Sequence, residues 1–397
     1  MLFFGKKKKE AKLKILLDFR SSSIGGAVLV EPNDQIDNEV SIIYTAREYI
    51  YPDDNDDPKK ILKKLNDSFD NILKKISEEG IIRNNAYPTP NRISEVVCMF
   101  SSPWYKTKIK NFEIKEQKPI KFTESFLKRI LNKEKSLNLK KDLETELEIE
   151  KKIVSVYLNG YEAQKPFGKV FEDAKVSFYI GIISKKVFDF INSKIEEKLN
   201  PRKITLHTHP FVIVSFIRNF FRSSNDFLFF DFGGETTDIG MYKNSIFQNI
   251  ITVPIGLNFF IKNFCKAHSV EKKDFFSEID LIYDKRIDEN NNLTKIATLE
   301  KIKSDYILEI QKIIGSKWQN ETTPSKIFVT ADMQAVPVLD SVLKSKNFYA
   351  NVLKISTQPI VHYVSKENFP TIIKTTQDTK KDSLLEILAN FSTFSDN

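Results

Sequence analysis

Residues 229–242 read FFDFGGETTDIGMY. An apolar run ends in Asp231, Gly233 and Gly234 form a turn, Thr236 and Thr237 follow, and Asp238 opens a second apolar run. In a chain with only 12 glycines, such a pair marks a place where backbone must come close to something. A phosphate is a fitting occupant, because amide N–H groups at a tight turn bind its oxygens and no Cβ stands in the way. The threonine hydroxyls add donors. Asp231, at the strand end, can hold Mg²⁺ through waters, since Mg²⁺ keeps most of its hydration shell. A glycine hairpin with a capping Asp is the plainer alternative; the flanking FLFF and IGMY strands and the TTD continuation argue against it.

A related stretch, LLDFRSSSIGGAVLV at residues 16–30, offers Asp18 and the hydroxyls of Ser21, Ser22 and Ser23. Two such hairpins facing each other across a cleft would clamp the β- and γ-phosphates of a nucleotide, with Asp18 and Asp231 holding Mg²⁺ through water. Arg20 obstructs the close backbone approach, although a guanidinium can itself contact phosphate oxygens. His207-Thr208-His209-Pro210 is a further chemical group. Two rings on one face of a strand can bind a metal, but no third ligand is apparent, and a turn histidine is the simpler reading. No residue stands out as a general base.

These groups need strands and turns to hold them. Lys14–Leu17 and Gly25–Val30 read as a hairpin, Glu39–Tyr44 as a third strand, and Ile61 to Ile76 as an amphipathic helix stopping at Gly80. Glu95–Ser102 is an apolar strand. Residues 106–152 are rich in Lys and Glu and read as a helix around Glu124–Asn132 followed by a polar excursion. Strands at Ile153–Leu158 and Val176–Ser184 precede a helix capped by Ser184. In the second half, Phe227–Phe232, Ile239–Tyr242 and Ile246–Val253 repeat the meander. Helices follow from Gly256 and over 296–314, then a strand at Lys326–Val329 and a helix at Pro337–Leu343.

The duplicated order predicts an α/β protein with mixed sheets flanked by helices. The expected organisation is a first half at 1–105, an inserted subdomain at 106–202, and a return at 203–225. A second core follows at 226–265, a polar helical subdomain at 266–322, and a closing segment at 323–397.

The 397 residues carry 61 Lys+Arg against 53 Asp+Glu, a net charge of +8 spread widely and interrupted by acidic blocks, so no nucleic-acid stripe is indicated. Cys98 and Cys265 sit in apolar surroundings and suit buried thiols in a reducing compartment. No apolar run is long enough to span a membrane. MLFFGKKKKE has no secretory pattern, and a cytoplasmic location is expected, at most peripheral at the inner membrane through the lysine leader. The tail DSLLEILANFSTF, residues 382–394, has a short apolar face (Leu384, Leu385, Ile387, Leu388, Phe391) that suits a membrane contact, a docking helix or a packed helix.

DFGGETTDIGMY closely resembles the second phosphate motif of the actin-like ATPases, the superfamily of actin, heat-shock chaperones and sugar kinases. LLDFRSSSIGGAVLV resembles the first. The leader and first turn are similar to the pilus-assembly protein PilM. SVYLNGYEAQKPFGKVFEDAKVSFYIGIIS resembles the inserted subdomain of the cell-division protein FtsA, and TVPIGLNFFIKNF the family's helix start after the second motif. The resemblance spans about residues 1–345. It implies an actin-like, ribonuclease H-like duplicated fold with five-stranded sheets and a small inserted α+β subdomain. It also implies ATP and Mg²⁺ as cofactors, division or pilus-assembly proteins as partners, and self-association into filaments. The family's adenosine motif falls at Thr330-Ala331-Asp332-Met333-Gln334, where the glycines are missing and only Ala331 is small enough for a base to approach. A scaffold with at most weak ATPase activity, a small-molecule kinase and a nucleotide-free adaptor all remain open.

Overall fold

The computed structural model describes residues 12–31, 39–52, 58–84, 92–137, 145–221, 226–243, 246–283, 289–318, 322–364, 373–377 and 379–394. The lysine leader lies outside the described residues.

The first half opens as an antiparallel meander of β1 (Lys12–Phe19), β2 (Ser23–Glu31) and β3 (Val40–Tyr49). The helix α1 (Pro58–Lys75) then lays Phe69, Ile72 and Leu73 on this sheet and continues as π-helical turns to Arg83. Gly80 does not end it: the residue packs against Val28 and Tyr44, where a Cβ would lie within 3 Å of both side chains. The strand β4 (Glu95–Phe100) then pairs parallel to β1. With neighbours on both sides, β1 is buried almost throughout, which explains its unbroken ILLDF run.

The insertion is built from β5 (Tyr105–Lys121), α2 (Glu124–Leu137), β6 (Glu146–Leu158), β7 (Tyr161–Glu162) and β8 (Val170–Ser184), in sheet order β5-β8-β6-β7. The Lys- and Glu-rich stretch before the helix at Glu124–Asn132 is given no element from sequence, yet β5 is a strand of 17 residues there, and β6 begins within the expected polar excursion. Strand β5 is an edge strand whose Lys and Glu side chains alternate outward, and those charges masked the period-two pattern. The helix α3 (Lys185–Leu199) turns Ile191, Ile195 and Leu199 into the core of the first sheet, beside Phe69. Next, β9 (Ile204–Thr208) adds to that sheet and leads directly into α4 (His209–Phe220).

The second half repeats the plan with β10 (Phe227–Phe232), β11 (Thr237–Lys243) and β12 (Ile246–Val253). Three helices follow: α5 (Leu257–His268), α6 (Phe275–Tyr283) and α7 (Glu289–Lys317). They give way to β13 (Lys326–Ala331), α8 (Val336–Leu343) and β14 (Ile360–Tyr363). This sheet runs β12-β11-β10-β13-β14. The chain then returns to the first half with β15 (Ile373–Thr375) and α9 (Ser383–Phe394), giving a first sheet ordered β15-β3-β2-β1-β4-β9. Strands β14 and β15, four and three residues long, carry too little pattern to be foreseen.

The predicted apolar face of the tail is a core face. Leu384, Leu385, Ile387, Leu388 and Phe391 are all buried, in one cluster with Leu16, Val212 and Ile217. Membrane contact through this helix would require unpacking that core. Among the described residues no helix is long and apolar enough to cross a membrane.

Candidate functional site

The two Asp-led hairpins lie at equivalent places, each at the carboxyl end of a central strand with a parallel neighbour. Asp18 ends β1 beside Met99 of β4; Asp231 ends β10 beside Thr330 of β13. The turns face one another and touch.

Arg20 projects from the first turn with only 3% of its surface exposed. Its Nη2 donates to Asp231 Oδ1 at 2.5 Å and to the Phe232 carbonyl at 3.4 Å, and Nη1 donates to Ser101 Oγ at 3.4 Å. Thr330 Oγ1 donates to the same Asp231 oxygen at 2.9 Å, and His209 Nδ1 lies 3.5 Å from the other. Burial alone would favour the neutral forms. The Asp231 charge nevertheless holds Arg20 above its ordinary value, and Arg20 holds Asp231 below its own. His209 is pushed down by burial and stays neutral; neither ring nitrogen has a hydrogen-bond partner among the described residues.

Ser21 takes the place opposite the glycine pair. Its Oγ accepts from the backbone N–H of Gly234 at 3.1 Å and of Glu235 at 3.0 Å. A Cβ added to Gly234 would lie 2.5 Å from Ser22 Cβ, so this glycine makes room for the other hairpin. On its far side the second turn meets the start of α5: Leu257 N–H donates to the Gly233 carbonyl and Asn258 N–H to the Gly234 carbonyl. Gly256 permits that contact, since a Cβ there would fall 2.4 Å from the Gly233 oxygen.

Other predicted ligands are also engaged within the protein. Asp18, fully buried, accepts from Arg47 Nη2 at 2.9 Å through Oδ2, while Oδ1 has no hydrogen-bond partner among the described residues. Arg47 also donates to Ser23 Oγ at 2.9 Å and, through Nε, to Asp382 Oδ2 at 2.7 Å. Thr237 points away from the cleft, bonding the Ile255 carbonyl and Tyr306. Thr236 is buried within its own turn, whose carbonyl accepts from Gly233 N–H. Asp238 accepts from Tyr105, at the root of the insertion, and from Thr252 Oγ1 at 2.6 Å. Burial and the nearby Asp231 charge push Asp238 up to about 7. Ala331 is buried at the end of β13, and Asp332 beyond it accepts from Tyr49 at 3.3 Å. The expected His207–His209 pair separates: His207 bonds Glu150 at 2.8 Å, whereas His209 starts α4 and is buried beside Asp231. No cluster able to hold a metal occurs among the described residues.

No family model matches the sequence, and no curated protein matches it. Solved structures do. The PilM–PilN type IV pilus biogenesis complex matches over 96% of this chain and 95% of its own, with 9% identity and a TM-score of 0.57. A Bacteroides thetaiotaomicron protein described as having an actin-like ATPase fold covers 98% of both chains at 9% identity and a TM-score of 0.38. This chain has the actin-like fold. The psk41 ParM protein also matches, at 13% identity, 97% of both chains and a TM-score of 0.34.

Proteins of the actin-like fold generally bind a nucleotide with Mg²⁺. The residues here do not fit that group. A hydrated Mg²⁺ needs accessible carboxylate oxygens, yet Asp231 is 2% exposed and paired with a buried guanidinium, and Asp18 is fully buried and paired with Arg47. A phosphate needs the turn amides, and those of Gly234 and Glu235 are already on Ser21. Sequence reasoning flagged Arg20 but missed Arg47, Tyr105 and Asp382. Asp382 had a signal, since it stands where a helix cap belongs, and its Oδ1 accepts from Leu385 N–H at 3.2 Å.

Proposed function

We propose that this protein is an actin-fold scaffold that works through its surfaces without nucleotide, as an adaptor in a membrane-associated machine such as a type IV pilus or division apparatus. The observation that carries this reading is the buried Arg20–Asp231 ion pair, which occupies the carboxylate that the sequence assigns to a nucleotide's cation. The full-length likeness to a PilM–PilN complex supports a role in holding a protein partner. A cavity of about 690 Å³ between the insertion and the end of α4 suits an extended segment of such a partner. Ile153 and Phe167, both exposed, line one side, and Arg218 stacks over Tyr242 on the other. A small-molecule kinase would need a free carboxylate in the cleft, but Asp231 and Asp238 are both bound within the protein.

Calorimetric titration with Mg-ATP tests this reading. The expected outcome is no binding heat at millimolar nucleotide. Saturable binding would overturn it.

A further inference from the structure

The cleft is crossed by contacts at several depths, and each joins the first half of the chain to the second. At the base, Tyr105 donates to Asp238. At the level of the turns, Arg20 meets Asp231 and Ser21 meets the amides of Gly234 and Glu235. At the mouth, Tyr49 donates to Asp332, and Lys272 Nζ donates to the Pro52 carbonyl at 2.8 Å.

The middle layer has a particular chemistry. A guanidinium satisfies the carboxylate, as a bound cation would. A single hydroxyl oxygen gathers two successive turn N–H groups, as a phosphate oxygen would. Both come from the same turn, in adjacent residues, so they enter the opposite half as one unit. The absence of a Cβ on Gly234 lets that unit approach, since the next residue, Ser22, occupies the space.

We infer that Arg20 and Ser21 are built-in ligands that hold the two halves closed, so that the relative position of the insertion and the second half is fixed without any bound molecule. This rests on the nucleotide-free reading above. Its consequence is distinct: closure is a permanent property of the fold, and no ligand switches it. The surfaces of both halves therefore reach a partner in one arrangement.

Hydrogen–deuterium exchange on the full chain tests the inference, using the wild type, Ser21→Ala, and the charge-removing pair Arg20→Met with Asp231→Asn. Ser21→Ala should speed exchange of the Gly234 and Glu235 amides by about fivefold or more, the loss of one shared acceptor. The double variant should speed exchange in both hairpins and at the mouth around Tyr49 and Asp332 together, while β4 stays protected as in the wild type. Wild-type exchange at both hairpins in a folded double variant would overturn the latch. So would unchanged Gly234 and Glu235 amides in Ser21→Ala, which carries the test should the double variant not fold. A separate arm adds Mg-ATP to the wild type. Slowed hairpin exchange there would overturn the nucleotide-free reading, independently of the result from the variants without nucleotide.

Discussion

The two hairpins share a backbone plan and differ in what they present. The second turn, Asp231-Phe232-Gly233-Gly234-Glu235, offers bare amides and the Asp231 carboxylate; the first, Phe19-Arg20-Ser21-Ser22, offers a cation, a hydroxyl and bulk. Either alone would be an incomplete phosphate site. Facing each other they are complementary, charge to charge and oxygen to amide. A site worn on one side need not be empty, because the same substitutions that spoil it for a ligand can satisfy its other side from within.

The sharpest way to break this comparison is to remove the cation that supports the first hairpin. Arg47 holds both Asp18 and Asp382, at 9% side-chain exposure. Arg47→Met would leave the fully buried Asp18 and the partly buried Asp382 without their cation, and we expect a loss of about 3–5 kcal/mol in urea denaturation. Gly234→Ala attacks the fit between the turns: its methyl must displace Ser22, at about 1–3 kcal/mol, and Ser22→Gly in the same chain should restore most of the loss.

Acidity sharpens the comparison more gently. Asp18 is held by a cation at the edge of its hairpin; Asp238 is held by the hydroxyls of Tyr105 and Thr252 and is pushed up to about 7, from an ordinary 3.8, by burial and by the Asp231 charge. The folded state therefore binds this proton more tightly than the unfolded chain. Stability should fall as pH rises from about 4 to about 7, by on the order of 1 kcal/mol per unit. Asp231 and Asp382 are lowered, so their contributions are lost only below the ordinary carboxylate range as pH falls. Denaturation curves across pH should show the upper slope in the wild type and not in Asp238→Asn.

What could be read in the sequence follows from how local each feature is. The second hairpin was legible because its strands, turn glycines and acids all lie within residues 229–242. Arg20 was legible as a misfit in its turn, but its partner, Asp231, is 211 residues away, and nothing local names it. The same holds for Arg47 and Asp382, separated by 335 residues. The insertion hid its longest strand, β5, because charged side chains on an edge strand look like helix or loop when only composition is weighed. The apolar tail looked available for a membrane because the surface that covers it comes from β1 and α4.

The closing segment has a consequence for the order of folding. Strand β15 and helix α9 complete the first sheet, and Asp382 shares the guanidinium that neutralises Asp18. The second sheet, from β10 to β14, is contiguous in sequence and contains every strand it needs. On a ribosome the first half emerges early but lacks its edge strand, its covering helix and one member of its ion network until residues 373–394 are made. The half that begins synthesis first is thus the half that finishes folding last.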